Sequence, residues 1–400
     1  MTTASPTVLK ASGSADFLAT LPAVAGFTAR NSVVVALFVG SRSYGALRID
    51  LPGRRRTSDF RALGDAIVDL ATQVPGVDGV VPVVYTDESF ASANGVPHLE
   101  LWLGIEPRIR RSGLRMVDAC CVAADGWASY LDRARPREGR SLALICESPM
   151  ALEAAFHAGP IPDLTVLSQL PPADPAVARR VAALAYDLAD YRVEVDAFGV
   201  PWQVELDAVA IGEECVNVAA EQLDVGALAA IVAAADEPAS RDVMLLAMAF
   251  GREPAQAALE LNERMRRRRA KTGETFDEIV EKEFETTGWE AESGMLMLGR
   301  GTRPDPDRLL AAISALRRAA AHAPPPLRAG VLCILAWMLW ARGVSSAADE
   351  MLTLAEECDP SLTMVDALRM LLVSGPPQWA FAAPPAPEAP RAARRGRAKR

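Results

Sequence analysis

NSVVVALFVG, at residues 31–40, is the most informative segment of this 400-residue chain. Seven apolar residues follow one another without a break, four of them are valines, and Gly40 ends the run. A run of this length and composition is typical of a β-strand that is covered on both faces. The segment therefore predicts a central strand of a sheet in the N-terminal part of the chain.

The segments that follow extend this predicted sheet. Residues 44–51 alternate in polarity and end at Leu51-Pro52, where proline stops a strand ladder, so they are expected to form a hairpin with the first strand. Residues 58–74 carry apolar side chains at helical spacing, and Ser58 is the expected N-cap.

More strands are predicted further along the N-terminal half. Pro82 is expected near an edge or bulge, and Asp125-Gly126 is a hairpin turn signal. The predicted strands are 77–85, 98–105, 116–123, 127–131 and 142–146. Strands and helices in this order predict a mixed α/β half rather than a regular alternation.

The C-terminal half has apolar residues at helical spacing throughout. Its predicted helices are 176–189, 225–235, 240–250, 254–269, 306–321, 327–342, 345–357 and 362–373. The fold class is therefore α+β, with an N-terminal mixed sheet domain followed by an all-helical domain. The predicted organisation is a flexible N-terminus (1–15), a mixed α/β domain (16–160), a helical domain (161–375) and a disordered basic tail (376–400).

One helix pair has a more specific pattern. Its small and large apolar residues, its glycine and its proline have the spacing of a single tetratricopeptide unit, at Ala336, Gly343, Ala348, Leu352, Ala355 and Pro360. Small residues allow two helices to approach closely. An ordinary antiparallel helix pair within a bundle explains the same pattern equally well.

Composition limits the classes of function. The net charge of −9 argues against duplex binding by the whole protein, although six Lys or Arg residues within 391–400 leave nucleic acid possible through the tail. There is no apolar signal segment at the N-terminus and no apolar run of about 18 residues. Six scattered cysteines without a C-x-x-C motif indicate a reducing compartment. These features predict a cytoplasmic protein without a membrane span.

The sequence offers few candidates for chemistry. None of the strong cofactor, phosphate, metal or nucleophile motifs occurs, so no cofactor, no metal site and no catalytic histidine is expected. Arg48 and Asp50 share one face of a predicted strand, and Tyr85 and Asp87 stand where another strand ends. These four residues are the candidate ligand-binding residues. The plainer interpretation is an ion pair and a polar turn.

Several segments together resemble a known family. They are SADFLATLPAVAGFTARNSVVVALF, LRIDLP, DGWASYLD, ASRDVML and ILAWMLWARG with its continuation LAEECDPSLTMVDALRMLLVSGPPQW. In this order they resemble an uncharacterised actinobacterial and actinophage family catalogued as a domain of unknown function. The family often has a Cys-rich stretch after Ser-Tyr-Leu and His-Pro after Gly-Phe. This chain has DRARPREG and Thr28-Ala29 there, so the resemblance implies no metal, redox or histidine site.

The leading functional prediction is a binding or adaptor protein that contacts a protein partner through its helical half, with Trp337, Trp340 or neighbouring helix faces in the contact groove. A core position is the alternative for both tryptophans. The first alternative is an enzyme or small-molecule sensor whose site lies where the sheet meets the helices, because domain junctions often hold ligands. The second alternative is a nucleic-acid accessory protein that acts through its basic tail. The oligomeric state stays open.

Overall fold

The computed structural model describes residues 11–158, 161, 163–190, 194–195, 201–202, 206–287 and 292–381. Within these residues a mixed sheet with its own helices comes first, and the described residues from Ala208 onward form helices without strands, which confirms the predicted α+β class. A separate two-stranded sheet at residues 194–195 and 201–202 interrupts the predicted helical domain. The strands are β1 Ser32–Val39, β2 Arg42–Asp50, β3 Gly79–Tyr85, β4 Arg115–Met116, β5 Cys120–Val122, β6 Trp127–Ser129, β7 Glu194–Val195 and β8 Pro201–Trp202.

The described helices alternate with these strands and then continue alone. In the first half they are α1 Ser14–Ala25, α2 Thr57–Gln73, α3 Phe90–Ala93, α4 Leu99–Ser112, α5 Ala143–Cys146, α6 Pro149–Ala158, α7 Leu164–Leu167 and α8 Pro175–Asp190. In the second half they are α9 Ala208–Asn217, α10 Val225–Asp236, α11 Pro238–Phe250, α12 Arg252–Thr272, α13 Phe276–Thr287, α14 Glu292–Met297, α15 Pro306–His322, α16 Pro325–Ala341, α17 Ser345–Cys358 and α18 Thr363–Val373.

The main sheet has the strand order β2-β1-β3-β5-β6, and β4 also pairs with β3. β1 is antiparallel to both neighbours and is buried along nearly its whole length, so the predicted central strand and hairpin are confirmed. One face of β1, with Val33 and Val35, packs with α2 and α4. The other face, with Val34 and Ala36, belongs to a core that continues into the helical half.

Pro82 lies inside the sheet, so its predicted place near an edge or bulge is wrong. β3 pairs with β4 at Gly79 and Val80 and with β5 from Val83 onwards, which leaves Pro82 at the gap between these two partners. A residue without an N–H group therefore removes no ladder hydrogen bond on that side.

Two further predictions in this half are wrong. Residues 98–105, predicted as a strand, form the start of helix α4, and residues 142–146 form the short helix α5. Ser58 is not the N-cap of α2, since the cap position is Arg56 and no side chain caps the helix there. The hairpin at Asp125-Gly126 is confirmed between β5 and β6.

Every helix predicted in the C-terminal half is present, and α16 is its centre. Residues 329–341 of α16 are buried on all sides. Gly330 permits a close crossing with α10, since a Cβ atom built there would lie 2.1 Å from the Ala235 carbonyl oxygen. α16 and α17 pack against each other, with Ala336, Ala348 and Ala355 buried. Whether this pair is a true tetratricopeptide unit stays a prediction.

The ends of the chain only partly test the predicted organisation. Ser14 already belongs to α1, and residues 378–381 form a short 3₁₀ helix whose Trp379 is buried, so the tail predicted from residue 376 begins too early. Residues 382–400, including the basic run, and residues 159–160 at the predicted boundary lie outside the described residues. In the part that is described, no helix combines the length and apolarity that a membrane crossing requires.

Candidate functional site

The carboxyl ends of three strands meet at one edge of the sheet. β2 and β3 are both antiparallel to β1, and β5 is parallel to β3, so these three strands end on the side where β1 begins. Ligands of α/β sheets commonly bind outside the carboxyl ends of strands. This edge, at the start of β1, is the candidate site.

On the face toward the helical half, strand pairing places three polar residues in one row. Ser32 of β1 lies opposite Asp50 of β2 and opposite Tyr85 of β3. In the next row of the same face, Val34 lies opposite Arg48. Directly opposed side chains lie about 4.5–5.5 Å apart at Cβ, so these groups are immediate neighbours.

The Arg48 guanidinium is incompletely bonded. Its Nη2 lies 2.5 Å from Asp50 Oδ1, and its Nη1 donates to Ser346 Oγ of α17 at 2.7 Å. The Nε atom is buried and has no hydrogen-bond partner among the described residues. The Arg48 side chain is 12% exposed, whereas Asp50 is 58% exposed, so Asp50 lies on the solvent side of the pair.

Ser32 is a second incompletely bonded group on this face. The residue is 0% exposed, and in the described part of the chain its Oγ atom has no partner. A buried polar atom without a partner costs roughly 1–3 kcal/mol. Two such atoms at adjacent positions of one face require a physical explanation.

A small cavity lies on the same face. It is lined by Leu21, Pro22, Ala25, Phe27, Ala29, Val34 and Tyr85, and its volume is about 10 Å³. That volume holds about one water molecule. Burial raises the pKa of Tyr85 far above its ordinary value, so its hydroxyl stays protonated and can donate a hydrogen bond.

The helical half also contacts this part of the chain through a second arginine. Arg342, at the end of α16, donates through Nη2 to the Gly26 carbonyl at 3.0 Å. Together with the bond between Arg48 and Ser346, this contact joins the edge of the sheet to the α16–α17 pair. A ligand larger than water must therefore displace side chains at this junction.

The four predicted ligand residues are only partly brought together. Arg48, Asp50 and Tyr85 share the junction face, and the expected ion pair between Arg48 and Asp50 is present. Asp87 lies beyond the strand, where it accepts a hydrogen bond from Asn31 Nδ2 at 2.7 Å and its backbone N–H donates to Asn31 Oδ1 at 3.0 Å. Asp87 thus fixes the side chain of Asn31, the residue that precedes Ser32.

A polar cluster on the opposite face of the sheet was not predicted from the sequence. His98 Nε2 lies 3.1 Å from Thr86 Oγ1 and 3.8 Å from Glu88 Oε1, and Arg55 forms an ion pair with Glu88. Burial, followed by the charge of Arg55, lowers the pKa of His98. The neutral imidazole can accept a proton, but both contacts use one ring nitrogen, so His98 does not relay a proton between these two groups.

Trp337 and Trp340, predicted to contact a partner, are core residues. Each is 1% exposed, and their indole N–H groups donate to the carbonyls of Met297 and Gly375 at 2.7 and 3.0 Å. They pack edge to face with Phe250 and Trp379. In this conformation neither side chain is available to a protein groove.

The described residues offer no group of three or more His, Cys, Asp and Glu side chains that could hold a metal ion. Burial raises the pKa of Cys121 to about 12 and also raises that of Cys120 well above its ordinary value, so both thiols stay protonated and are poor nucleophiles or metal ligands.

Fold and site define an α+β protein whose polar groups meet at the junction between its sheet and its helices. The chain belongs to the family described as Domain of unknown function (DUF4192), whose model matches residues 15–274 and 303–378. The family resemblance drawn from the sequence motifs is thereby confirmed. No curated protein and no solved structure matches the chain.

Proposed function

We propose that this protein binds a small polar molecule at the junction between its sheet and its helical half. The observation that supports this proposal is that two buried polar atoms without a partner among the described residues, Ser32 Oγ and Arg48 Nε, lie on this one face; a third such atom, Arg241 Nε, belongs to α11. A ligand that accepts hydrogen bonds from the two atoms on this face would recover the free energy that their burial costs.

Binding would also change how the two halves hold each other. Arg48 bonds Ser346, and Arg342 bonds the Gly26 carbonyl, so a ligand that enters must loosen contacts that cross the junction. A ligand with different affinities for the closed and opened junction shifts the balance between them. The protein would therefore act as a sensor, with ligand binding read out as a change in the junction.

A thermal-shift screen of the full chain against small organic acids, amides and alcohols tests the proposal. A ligand that binds only the folded state raises the unfolding midpoint. At least one compound should raise the midpoint of the wild type and of Arg111→Gln, an exposed control with the same charge change, but not that of Arg48→Gln. If no compound does so, or if Arg48→Gln responds like the wild type, the proposal is wrong.

The adaptor function is the second candidate, now with other residues. Met370 and Val373, three residues apart on α18, are 70% and 88% exposed, which is unusual for large apolar side chains at helical spacing. They would form the centre of a protein contact. Partners that the wild type retains should be lost with the double variant Met370→Glu, Val373→Glu and kept with Thr353→Glu, an exposed position on α17. Equal retention by both variants would remove this candidate.

A further inference from the structure

We infer, building on the proposed function, that the ligand is a short aliphatic monocarboxylate whose carboxylate group takes the place of Asp50 on Arg48. This inference names a chemical class for the junction site. The evidence for it is the bonding of one guanidinium group and the apolar residues and small cavity on the same face.

Asp50 makes one hydrogen bond with Arg48, which is half of the number that a carboxylate normally makes with an arginine. Carboxylates prefer to bind arginine through two parallel N–H···O bonds. Arg48 Nη2 donates to one oxygen of Asp50, and Nη1 donates to Ser346 Oγ. Nε is buried and has no partner among the described residues. The edge formed by Nε and Nη2 is therefore ready for a second carboxylate that bonds both nitrogens.

The Asp50 carboxylate can turn away from Arg48 at little cost. Asp50 is more than half exposed and lies at the end of β2, so its carboxylate regains water when it turns away from Arg48. The incoming carboxylate finds a buried Arg48 side chain and, beside it, the unpartnered hydroxyl of Ser32. Exchange of one carboxylate for another keeps the buried guanidinium paired, which avoids the cost of an isolated buried charge.

The apolar residues on the face that carries Arg48 favour an anion with an apolar body. Val34 lies directly opposite Arg48 and also lines the cavity, together with Leu21 and Phe27. The protonated hydroxyl of Tyr85, which also lines the cavity, can donate a hydrogen bond. A second negative charge on the ligand would lie among these apolar side chains and not on Arg48, and burial of a charge there is costly. The cavity holds about one water molecule, so the apolar part of the ligand must displace side chains at the junction, which favours a chain of few carbon atoms.

Calorimetric titration of the full chain at fixed ionic strength tests the class. The probes are propionate, butyrate, butyramide and inorganic phosphate. Butyrate should bind more tightly than butyramide and phosphate, and Arg48→Gln should weaken butyrate binding at least about tenfold, since it removes hydrogen bonds to a charged group.

Asp50→Asn tests most directly whether the ligand replaces Asp50, because Asp50 is exposed and the change removes the competing carboxylate. It should tighten butyrate binding about tenfold, whereas Asp69→Asn, an exposed control on α2, should leave it unchanged. Equal binding of butyrate and butyramide, both lost in Arg48→Gln, would overturn the carboxylate class but leave the junction site intact. Tighter binding of phosphate, or weaker butyrate binding by Asp50→Asn, would overturn the inference as well. If no probe or screened compound binds, both proposals fail.

Discussion

Replacing Ser32 by alanine should stabilise the ligand-free protein, although it removes a hydroxyl group from the central strand. Ser32 is completely buried and its Oγ has no partner among the described residues, so the change relieves a cost of roughly 1–3 kcal/mol. A void of roughly 10 Å³ left by one oxygen atom costs only about 0.2 kcal/mol at about 24 cal/mol per Å³. The free energy of unfolding should therefore rise by about 0.8–2.8 kcal/mol.

Ser346→Ala is the matched control. It removes the same atoms as Ser32→Ala, but the free energy of unfolding should fall and not rise. The Ser346 hydroxyl accepts a hydrogen bond from Arg48 Nη1 at 2.7 Å, so its loss should destabilise the protein by about 1–2 kcal/mol. Urea unfolding of the wild type and both variants measures the two changes. If Ser32→Ala lowers the free energy of unfolding by more than about 1 kcal/mol, Ser32 makes a stabilising bond in solution and the reasoning fails.

Three further predictions concern other parts of the fold. Because the folded protein lowers the pKa of His98, the unfolded state takes up the proton first, so stability should fall as the pH drops below about 6.5; this fall should shrink in His98→Gln, and an unchanged slope would contradict it. Gly330→Ala should destabilise by about 1–3 kcal/mol because α16 touches Ala235, whereas Gly45→Ala, whose Cβ meets nothing within 4 Å, should be neutral in the same urea assay. Trp379→Ala should cost about 3–5 kcal/mol, and a loss under about 1 kcal/mol would show that residues 378–381 do not pack on the core.

Strong periodic signals predicted the architecture well. The apolar run of β1 indicates a strand because it is short, rich in valine and closed by Gly40, and the long apolar stripes of the C-terminal half have the helical period. The prediction of a strand at residues 98–105 was wrong because the segment is short and its leucines alternate. The apolar residues that α4 buries, Leu101, Ile105 and Ile109, have helical spacing and extend beyond this segment. Trp337 and Trp340 were predicted in a contact groove, with a core position as the alternative, and their helix is apolar all round, a pattern that indicates a buried helix.

The candidate site was predictable only where it depends on local spacing. Arg48 and Asp50 share a strand face because they are two residues apart, so their pairing follows from the sequence. Ser32 joins them through strand register, and Ser346 through a contact almost 300 positions away, and neither relation leaves a local pattern. His98 was missed because its segment was predicted as a strand, whereas it stands in a left-handed backbone conformation at the start of α4.

A crystal structure of the protein soaked with butyrate is the most direct test of the junction site. A carboxylate oxygen within about 3.2 Å of Arg48 Nε, another near Ser32 Oγ, and Asp50 turned toward solvent would agree with the account. An ordered water bridging Ser32 and Arg48, with Asp50 still paired and butyrate absent, would contradict it.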